Sequence, residues 1–152
     1  MSNRNKFKII IPSFNNSDWV EYNVASVINQ LYDNYEVLYI DDASTDDTHQ
    51  KVIDIVATKS NWRVIKNEKN MGAAYNYVEF VDSFVNDEDI IVHLDGDDWF
   101  IDEDVLSKLN DFYNNKNCWM TYGQFVVYDG SEYKNSHPQG TSYSDFVHNN
   151  RL

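Results

Sequence analysis

Three carboxylates stand together in the segment Asp95-Gly96-Asp97-Asp98, directly after the apolar run Ile90-Ile91-Val92-His93-Leu94. A short apolar run closed by a turn signal reads as a buried strand. Acidic groups crowded at its end repel one another and lose hydration, unless a divalent cation sits among them. An all-oxygen set suits Mg²⁺ or Mn²⁺, which keep several waters and bridge to substrate phosphates. The plainer reading is a solvated Asp-Gly turn. A second acidic cluster, Asp41-Asp42-Ala43-Ser44-Thr45-Asp46-Asp47, follows another apolar run. Ser44 and Thr45 read as helix caps, with Asp46 and Asp47 favourable in a first helical turn. Asp41 and Asp42 precede the cap, and a carboxylate there can accept a hydrogen bond from the imide N–H of uracil or thymine. A third motif, Asn70-Met71-Gly72-Ala73-Ala74-Tyr75-Asn76, puts small residues at a loop-to-helix junction. There backbone can approach a ligand and free amides can meet phosphate. His93 reads as a core or supporting residue rather than a ligand, and Trp99 as a residue that lines the site.

These groups need elements to position them. Lys8–Ile11 reads as a strand stopped by Pro12, and Glu36–Ile40, Trp62–Ile65 and Ile90–Leu94 as three more. A helix opened by the capping pair Asp18 and Glu21 carries Trp19, Val20, Val24, Val27, Ile28 and Leu31 on one face. A second, capped by Ser44–Asp47, buries Val52, Ile53, Ile55 and Val56. A third turns Ala74, Tyr77, Val78, Val81, Phe84 and Val85 inward. A fourth spans Asp102–Tyr113. Cys118–Tyr122 and Gln124–Tyr128 read as further strand pieces, the tail from Asp129 as a loop, and Ser144–Leu152 as the start of a helix. Strands alternating with helices predict an α/β fold: a Rossmann-like three-layer α/β/α sandwich on a mostly parallel sheet. Ligands of such sheets bind at the carboxyl ends of the strands. Pro12–Asn15, Asp41-Asp42, Asn67–Gly72 and Asp95–Asp98 all fall there.

Composition narrows the function. The 152 residues are 42% hydrophobic and 15% aromatic, enough for one ordered domain. Twelve Lys and Arg against 25 Asp and Glu give a net charge of −13, which argues against nucleic-acid binding. A metal would let so acidic a chain hold a diphosphate. The single cysteine, Cys118, excludes an intramolecular disulfide and reads as a small buried hydrophobe. No apolar run nears the roughly 20 residues of a membrane span, and Met1–Lys8 is too polar for a secretory leader. A cytoplasmic protein is the expectation. No Gly-x-Gly-x-x-Gly, Gly-Lys-Ser/Thr or Gly-x-Ser-x-Gly motif is present.

In order and spacing, Ile9-Ile10-Ile11-Pro12-Ser13-Phe14-Asn15, Asp41-Asp42-Ala43-Ser44-Thr45-Asp46, Asn70-Met71-Gly72-Ala73-Ala74 and Asp95-Gly96-Asp97-Asp98 resemble the family 2 glycosyltransferases of the GT-A fold. The likeness runs from about Phe7 to Tyr128. It implies a nucleotide-sugar donor, usually a UDP-sugar, a carbohydrate or glycosylated acceptor, and Mn²⁺ or Mg²⁺ at an Asp-x-Asp element. Pro12, Ser13, Phe14, Asn15, Asp41 and Asp42 would then surround the base. Asn70, Gly72 and Ala73 would lie near ribose and phosphates, with Asp95 and Gly96 near ribose or sugar. Asp97 or Asp98 would touch the metal, with Asp95 beside them. The family is mostly inverting, and its base lies well downstream. Asp145 is a carboxylate in that direction, with nothing further to support it. Residues 1–152 therefore read as one nucleotide-sugar-binding domain, incomplete toward its C-terminus. The alternatives are a non-catalytic nucleotide-sugar-binding module and, more remotely, a nucleotidyltransferase. The latter would want a glycine-rich basic loop where Pro12-Ser13-Phe14-Asn15-Asn16 stands.

Overall fold

The structure, a computed structural model, describes residues 4–116, 118–123, 126–128 and 130–135. The chain forms two compact units, Met1–Asn117 and Cys118–Leu152.

In the first unit, β1 (Phe7–Ser13), β2 (Tyr35–Asp41), β3 (Trp62–Lys66) and β4 (Ile90–His93) make one sheet in the order β3-β2-β1-β4. All three pairings are parallel, with Ser13 opposite Asp41, Asp41 opposite Lys66 and Ile10 opposite His93. Every residue of β1 is buried, as expected of a central strand covered on both faces. The strand does not stop at Pro12 as its sequence suggests. Ile10 and Pro12 turn their backbone polar groups toward β4, which ends at His93, so the missing proline N–H breaks no rung of the described ladder.

Period-2 alternation assigns the two faces. Phe7, Ile9, Ile11, Val37 and Tyr39 meet α1 (Val20–Ile28), α2 (Thr48–Val56) and α4 (Val105–Asn115) through Val20, Val24, Val27, Val52, Val56 and Leu106. Ile10, Leu38 and Ile40 meet α3 (Ala73–Phe84) through Tyr77, Phe80, Val81 and Phe84. Connections β1-α1-β2 and β2-α2-β3 step one way across the sheet. The connection β3-α3-β4 turns back over two strands, so a crossover of the same hand puts its helix on the opposite face. The result is the three-layer sandwich. Nine-residue helices are too short to persist alone. For α1, burial of Val20, Val24 and Val27 at about 1.5–3 kcal/mol each supplies the missing stability.

Several local expectations change. Neither Asp18 nor Ser44 caps a helix: α1 opens at Trp19 and α2 at Asp47, both without a side-chain cap bond. Val78 is 74% and Leu31 67% exposed, because α3 presents Phe80 inward instead and Leu31 lies beyond the end of α1. Ile53 and Ile55 are also exposed, leaving Val52 and Val56 as the buried stripe of α2.

In the second unit, Val126–Tyr128 and Tyr133–Asn135 (β5 and β6) form an antiparallel pair, with Tyr128 opposite Tyr133. Gly130 supplies a φ of 93° between them. The tail after Asp129 thus pairs as a strand where a loop is expected. Cys118–Tyr122 is not a strand, and Cys118 is half-buried. Asp145 and the helix expected over Ser144–Leu152 lie outside the described residues, as do Gln124 and Phe125.

Candidate nucleotide-sugar site

The order in which the chain adds strands reverses at β1, which has β2 on one side and β4 on the other. The carboxyl ends at such a switch point leave a crevice. Backbone bonds continue past the strand ends and hold the loops there in register. The Gly96 amide donates to the Pro12 carbonyl at 3.0 Å, Asp42 to Ser13 at 2.8 Å, and Asn67 to Asp41 at 2.8 Å. Gly96 is buried against β1. A Cβ there would stand 2.4 Å from Ser13 Oγ and 2.5 Å from Ser13 Cβ. A glycine between the acidic residues is thus a packing requirement.

A shallow pocket of about 70 Å³ opens in this crevice, lined by Pro12, Ser13, Phe14, Asp42, Ala73 and Asn76. Five of these six belong to the expected donor set. Phe14 is 43% exposed and offers its ring. Asn15 and Asn70 are exposed and do not line the pocket. Asn15, at a φ of 53°, turns its Oδ1 to the Thr45 amide at 2.9 Å. Its own amide donates to Ser44 Oγ at 2.9 Å. Ser44 therefore ties the first strand-end loop to the second.

The two neighbouring aspartates have different surroundings. Asp41 is fully buried beneath the crevice. Its Oδ1 accepts from the Ser44 amide, and its Oδ2 lies 3.2 Å from Lys66 Nζ and 3.4 Å from His49 Nδ1. Asp42 faces the pocket, yet its carboxylate already accepts from three donors. These are Asn67 Nδ2 at 2.7 Å, the Met71 amide at 2.9 Å and the Gly72 amide at 2.7 Å. Burial alone would push the Asp42 carboxyl up. The Met71 amide, the Asn67 and Asn76 side chains and the Gly72 amide outweigh it and hold the group below the usual carboxylate range. Asp42 thus builds the 67–72 loop.

The acidic loop is held from below. Asn23, fully buried on α1, donates from Nδ2 to the Asp95 carbonyl at 3.0 Å and the Asp98 carbonyl at 2.7 Å. One turn on, Ser26 Oγ accepts from the Phe100 amide. Gln30 Nε2 donates to the Asp102 carbonyl at 2.7 Å, and its Oε1 accepts from the Leu106 amide. Trp99 stacks on Trp19 at 6.0 Å and leans on Tyr22 at 5.3 Å. It therefore anchors the loop to α1. His93 Nε2 meets Asp95 Oδ1 at 2.9 Å, and its ring stacks on Tyr77. It thereby holds Asp95.

Asp95, Asp97 and Asp98 are exposed. Among the described residues, no three His, Cys, Asp or Glu side chains converge as a metal-ligand set, and Asp95 is engaged by His93. The three carboxylates do not form the closed cluster their spacing suggests. One or two carboxylates completed by substrate phosphates is nonetheless the arrangement that Mg²⁺ favours. The chemistry of the donor set fits such an ion. Partial burial, then the charges of Asp97 and Asp95, push the Asp98 carboxyl above its usual range, an excess of negative charge that a cation would relieve.

Asn23, Ser26 and Gln30 carry no motif signal, while Asn67 and Asn76 lie inside the marked segments Asn67–Gly72 and Asn70–Asn76 without a role of their own being legible there. The nearest clue is that polar Asn23, Ser26 and Gln30 recur at helical spacing.

A parallel sheet with a lined crevice at its switch point and acidic residues at the adjoining strand end defines a Rossmann-like α/β domain. The family model for glycosyl transferase family 2 matches residues 8–152, and the chain belongs to that family. It is 28% identical to a Bacillus subtilis protein named as a putative teichuronic acid biosynthesis glycosyltransferase, TuaG, covering 93% of this chain and 56% of the relative. It is 27% identical to the Escherichia coli UDP-Glc:alpha-D-GlcNAc-diphosphoundecaprenol beta-1,3-glucosyltransferase WfgD, covering 93% and 54%. The chain thus spans about half the length of these two relatives. Among solved structures, S. aureus TarS 1-349 aligns with a TM-score of 0.63 at 24% identity, over 72% of this chain and 32% of that one. The mannosyltransferase PcManGT from Pyrobaculum calidifontis, in complex with GDP-Man and Mn²⁺, aligns with a TM-score of 0.63 at 21% identity, over 71% and 32%. These likenesses establish the GT-A fold. Among the described residues, no helix is long and apolar enough to cross a membrane.

Proposed function

We propose that residues 1–152 carry the donor-binding part of a metal-dependent glycosyltransferase. It transfers a sugar from a nucleoside-diphosphate sugar, a UDP-sugar by preference, to an acceptor hydroxyl with inversion. The observation that carries this reading is the meeting of Pro12, Ser13, Phe14, Asp42 and Ala73 in one pocket at the switch point, beside the Asp95–Asp98 loop. The named activity of the Escherichia coli relative supports the UDP-sugar.

Phe14 offers a ring face to the base, and the Asp42 carboxylate takes a base N–H. The N-terminus of α3, at Ala73, favours the negative charge of the diphosphate. Asp97 and Asp98, with Asp95 beside them, would hold Mn²⁺ or Mg²⁺. When bound, that ion acts as a Lewis acid for the departing diphosphate. The acceptor oxygen bonds to the anomeric carbon as the carbon–oxygen bond to the diphosphate breaks. The diphosphate leaves with the electron pair, and the hydroxyl proton passes to a base. No base is assigned.

Calorimetric titration of UDP into the protein, with Mn²⁺ and then with EDTA, tests the reading. Binding that requires Mn²⁺, and that Asp97→Asn abolishes, is expected. Unchanged affinity in Asp97→Asn would refute the metal assignment. A parallel GDP titration tests the preference for uridine. Release of free nucleoside diphosphate from UDP-sugars separates a transferase from a binding module.

A further inference from the structure

His93 ends β4, and Asp95 lies two residues on. The parallel ladder continues past the strand. The Leu94 amide donates to the Ile10 carbonyl at 3.2 Å and the Gly96 amide to the Pro12 carbonyl at 3.0 Å. The chain therefore stays extended here, and side chains two residues apart share a face of the sheet. His93, opposite Ile10, lies on the face that α3 covers, where its ring stacks on Tyr77 at 5.2 Å and 21°. Leu94 is buried on the other face. Asp95 follows His93 to the α3 side, and its Oδ1 meets His93 Nε2 at 2.9 Å. Opposite a carboxylate, Nε2 is the donor.

The backbone alone would place Asp95 differently. The Asp98 amide donates to the Asp95 carbonyl at 3.0 Å, which closes a β-turn and brings the two Cα atoms within about 7 Å. Burial, then the charges of Asp97 and Asp95, push the Asp98 carboxyl up, so Asp95 is near enough to act on Asp98. Yet no three acidic, His or Cys side chains converge as a metal-ligand set among the described residues. What keeps Asp95 apart is the direction of its side chain, and His93 sets that direction.

We infer that His93 is a positioning residue: by holding Asp95 on the α3 face it withholds one carboxylate from the cation site, so that the donor's diphosphate completes the ion's coordination. The inference rests on the metal-binding reading given above. A cation alone then finds only Asp97 and Asp98 and binds weakly until phosphate oxygens join them. A third carboxylate would tighten the ion without the nucleotide, because affinity for a hard cation follows the charge count of its ligands. His93 thus makes metal and nucleotide bind as a pair.

The test titrates Mn²⁺ into the protein without nucleotide and again with saturating UDP, following the free ion by electron paramagnetic resonance. His93→Phe keeps a ring against Tyr77 and removes the donor, whereas His93→Gln keeps a donor. The His93 side chain is 48% exposed, so neither change disturbs the core, and His93→Ala serves if His93→Phe does not fold. His93→Phe should bind Mn²⁺ alone at least about fivefold more tightly than wild type, and His93→Gln should stay within about twofold of it. The factor by which UDP tightens Mn²⁺ should fall in His93→Phe, a coupling that a merely structural role would leave alone. In an Asp95→Asn background, His93→Phe should have no effect on Mn²⁺. Unchanged or weaker binding of Mn²⁺ alone in His93→Phe overturns the inference. So does equal tightening in His93→Gln, or tightening that persists without the Asp95 carboxylate. A wild-type protein that binds no Mn²⁺ even with UDP would instead remove the metal-binding reading and this inference with it.

Discussion

Replacing Gly96 by alanine should distort the acidic loop, by an amount that the surroundings allow to be worked out. The added Cβ would sit 2.4 Å from Ser13 Oγ, 2.5 Å from Ser13 Cβ and 2.8 Å from Asn16 Nδ2. Side-chain rotation can move Ser13 Oγ and Asn16 Nδ2. Ser13 Cβ is fixed to β1, whose backbone is held by β2 on one side. About an ångström of separation must therefore come from the 94–98 loop. That movement strains the Gly96-to-Pro12 bond and the two bonds from Asn23. Overpacking of this kind typically costs about 1–3 kcal/mol. For a chain of this length that corresponds to a fall in Tm of roughly 2–12 °C, readable by circular dichroism. The stronger assay is a double-mutant cycle. Ser13→Gly removes both clashing atoms and frees Asn16 Nδ2, which now donates to Ser13 Oγ at 3.0 Å. The double variant Gly96→Ala with Ser13→Gly should be more stable than the sum of the single effects by at least about 1 kcal/mol. Additive effects would refute the steric account of Gly96.

Three further outcomes follow from the site. Asn23→Leu should lower stability by about 2–4 kcal/mol, since it leaves two loop carbonyls without their donor. It should also weaken Mn²⁺-dependent UDP binding, and a titration unchanged from wild type would show that the loop keeps its shape without Asn23. Asp98→Asn should leave the metal-free protein as stable or slightly more so, by less than about 1 kcal/mol once solvent screening is allowed for. The same variant should lose the rise in Tm that Mn²⁺ with UDP gives the wild type; a drop in metal-free Tm would count against the repulsion inferred at Asp98. Asp42, whose carboxyl is held below its unfolded value, contributes stability that is present above the ordinary carboxylate range and is lost as pH falls through its lower folded value. Asp42→Asn should therefore flatten the acid limb of a Tm-against-pH series, and an unaltered limb would contradict the bonds assigned to Asp42.

The parallel sheet was legible because its strands are apolar runs of the right length, each ending at a polar turn. The candidate site was legible for the same reason, since ligand-facing residues of such sheets cluster where those runs stop. What lay hidden was tertiary. Ser44 has the composition of a helix cap, but the close approach of the β1 and β2 loops gives it to the Asn15 amide instead. Asp42 reads as a free base-binding carboxylate, and only the folded 67–72 loop shows three donors converging on it. Asn23 and Gln30 look like polar positions on a surface helix. They are buried because the segment after β4 runs over that face of α1. Cys118–Tyr122 has the residue types of a strand, but it does not adopt one.

The seam along α1 has a consequence for how this segment can change. Asn23, Ser26 and Gln30 read only main-chain atoms of residues 95–106: three carbonyls and two amides. A peptide group offers the same partner whatever side chain it bears, so the seam is indifferent to the identity of those residues. It is not indifferent to their number, because a single insertion or deletion would put every later carbonyl and amide out of step with the helix. Gly96 apart, the connection from β4 to α4 is therefore open to substitution as far as this seam is concerned and closed to indels, and chemical variation at this edge of the crevice can accumulate on a frame of fixed length.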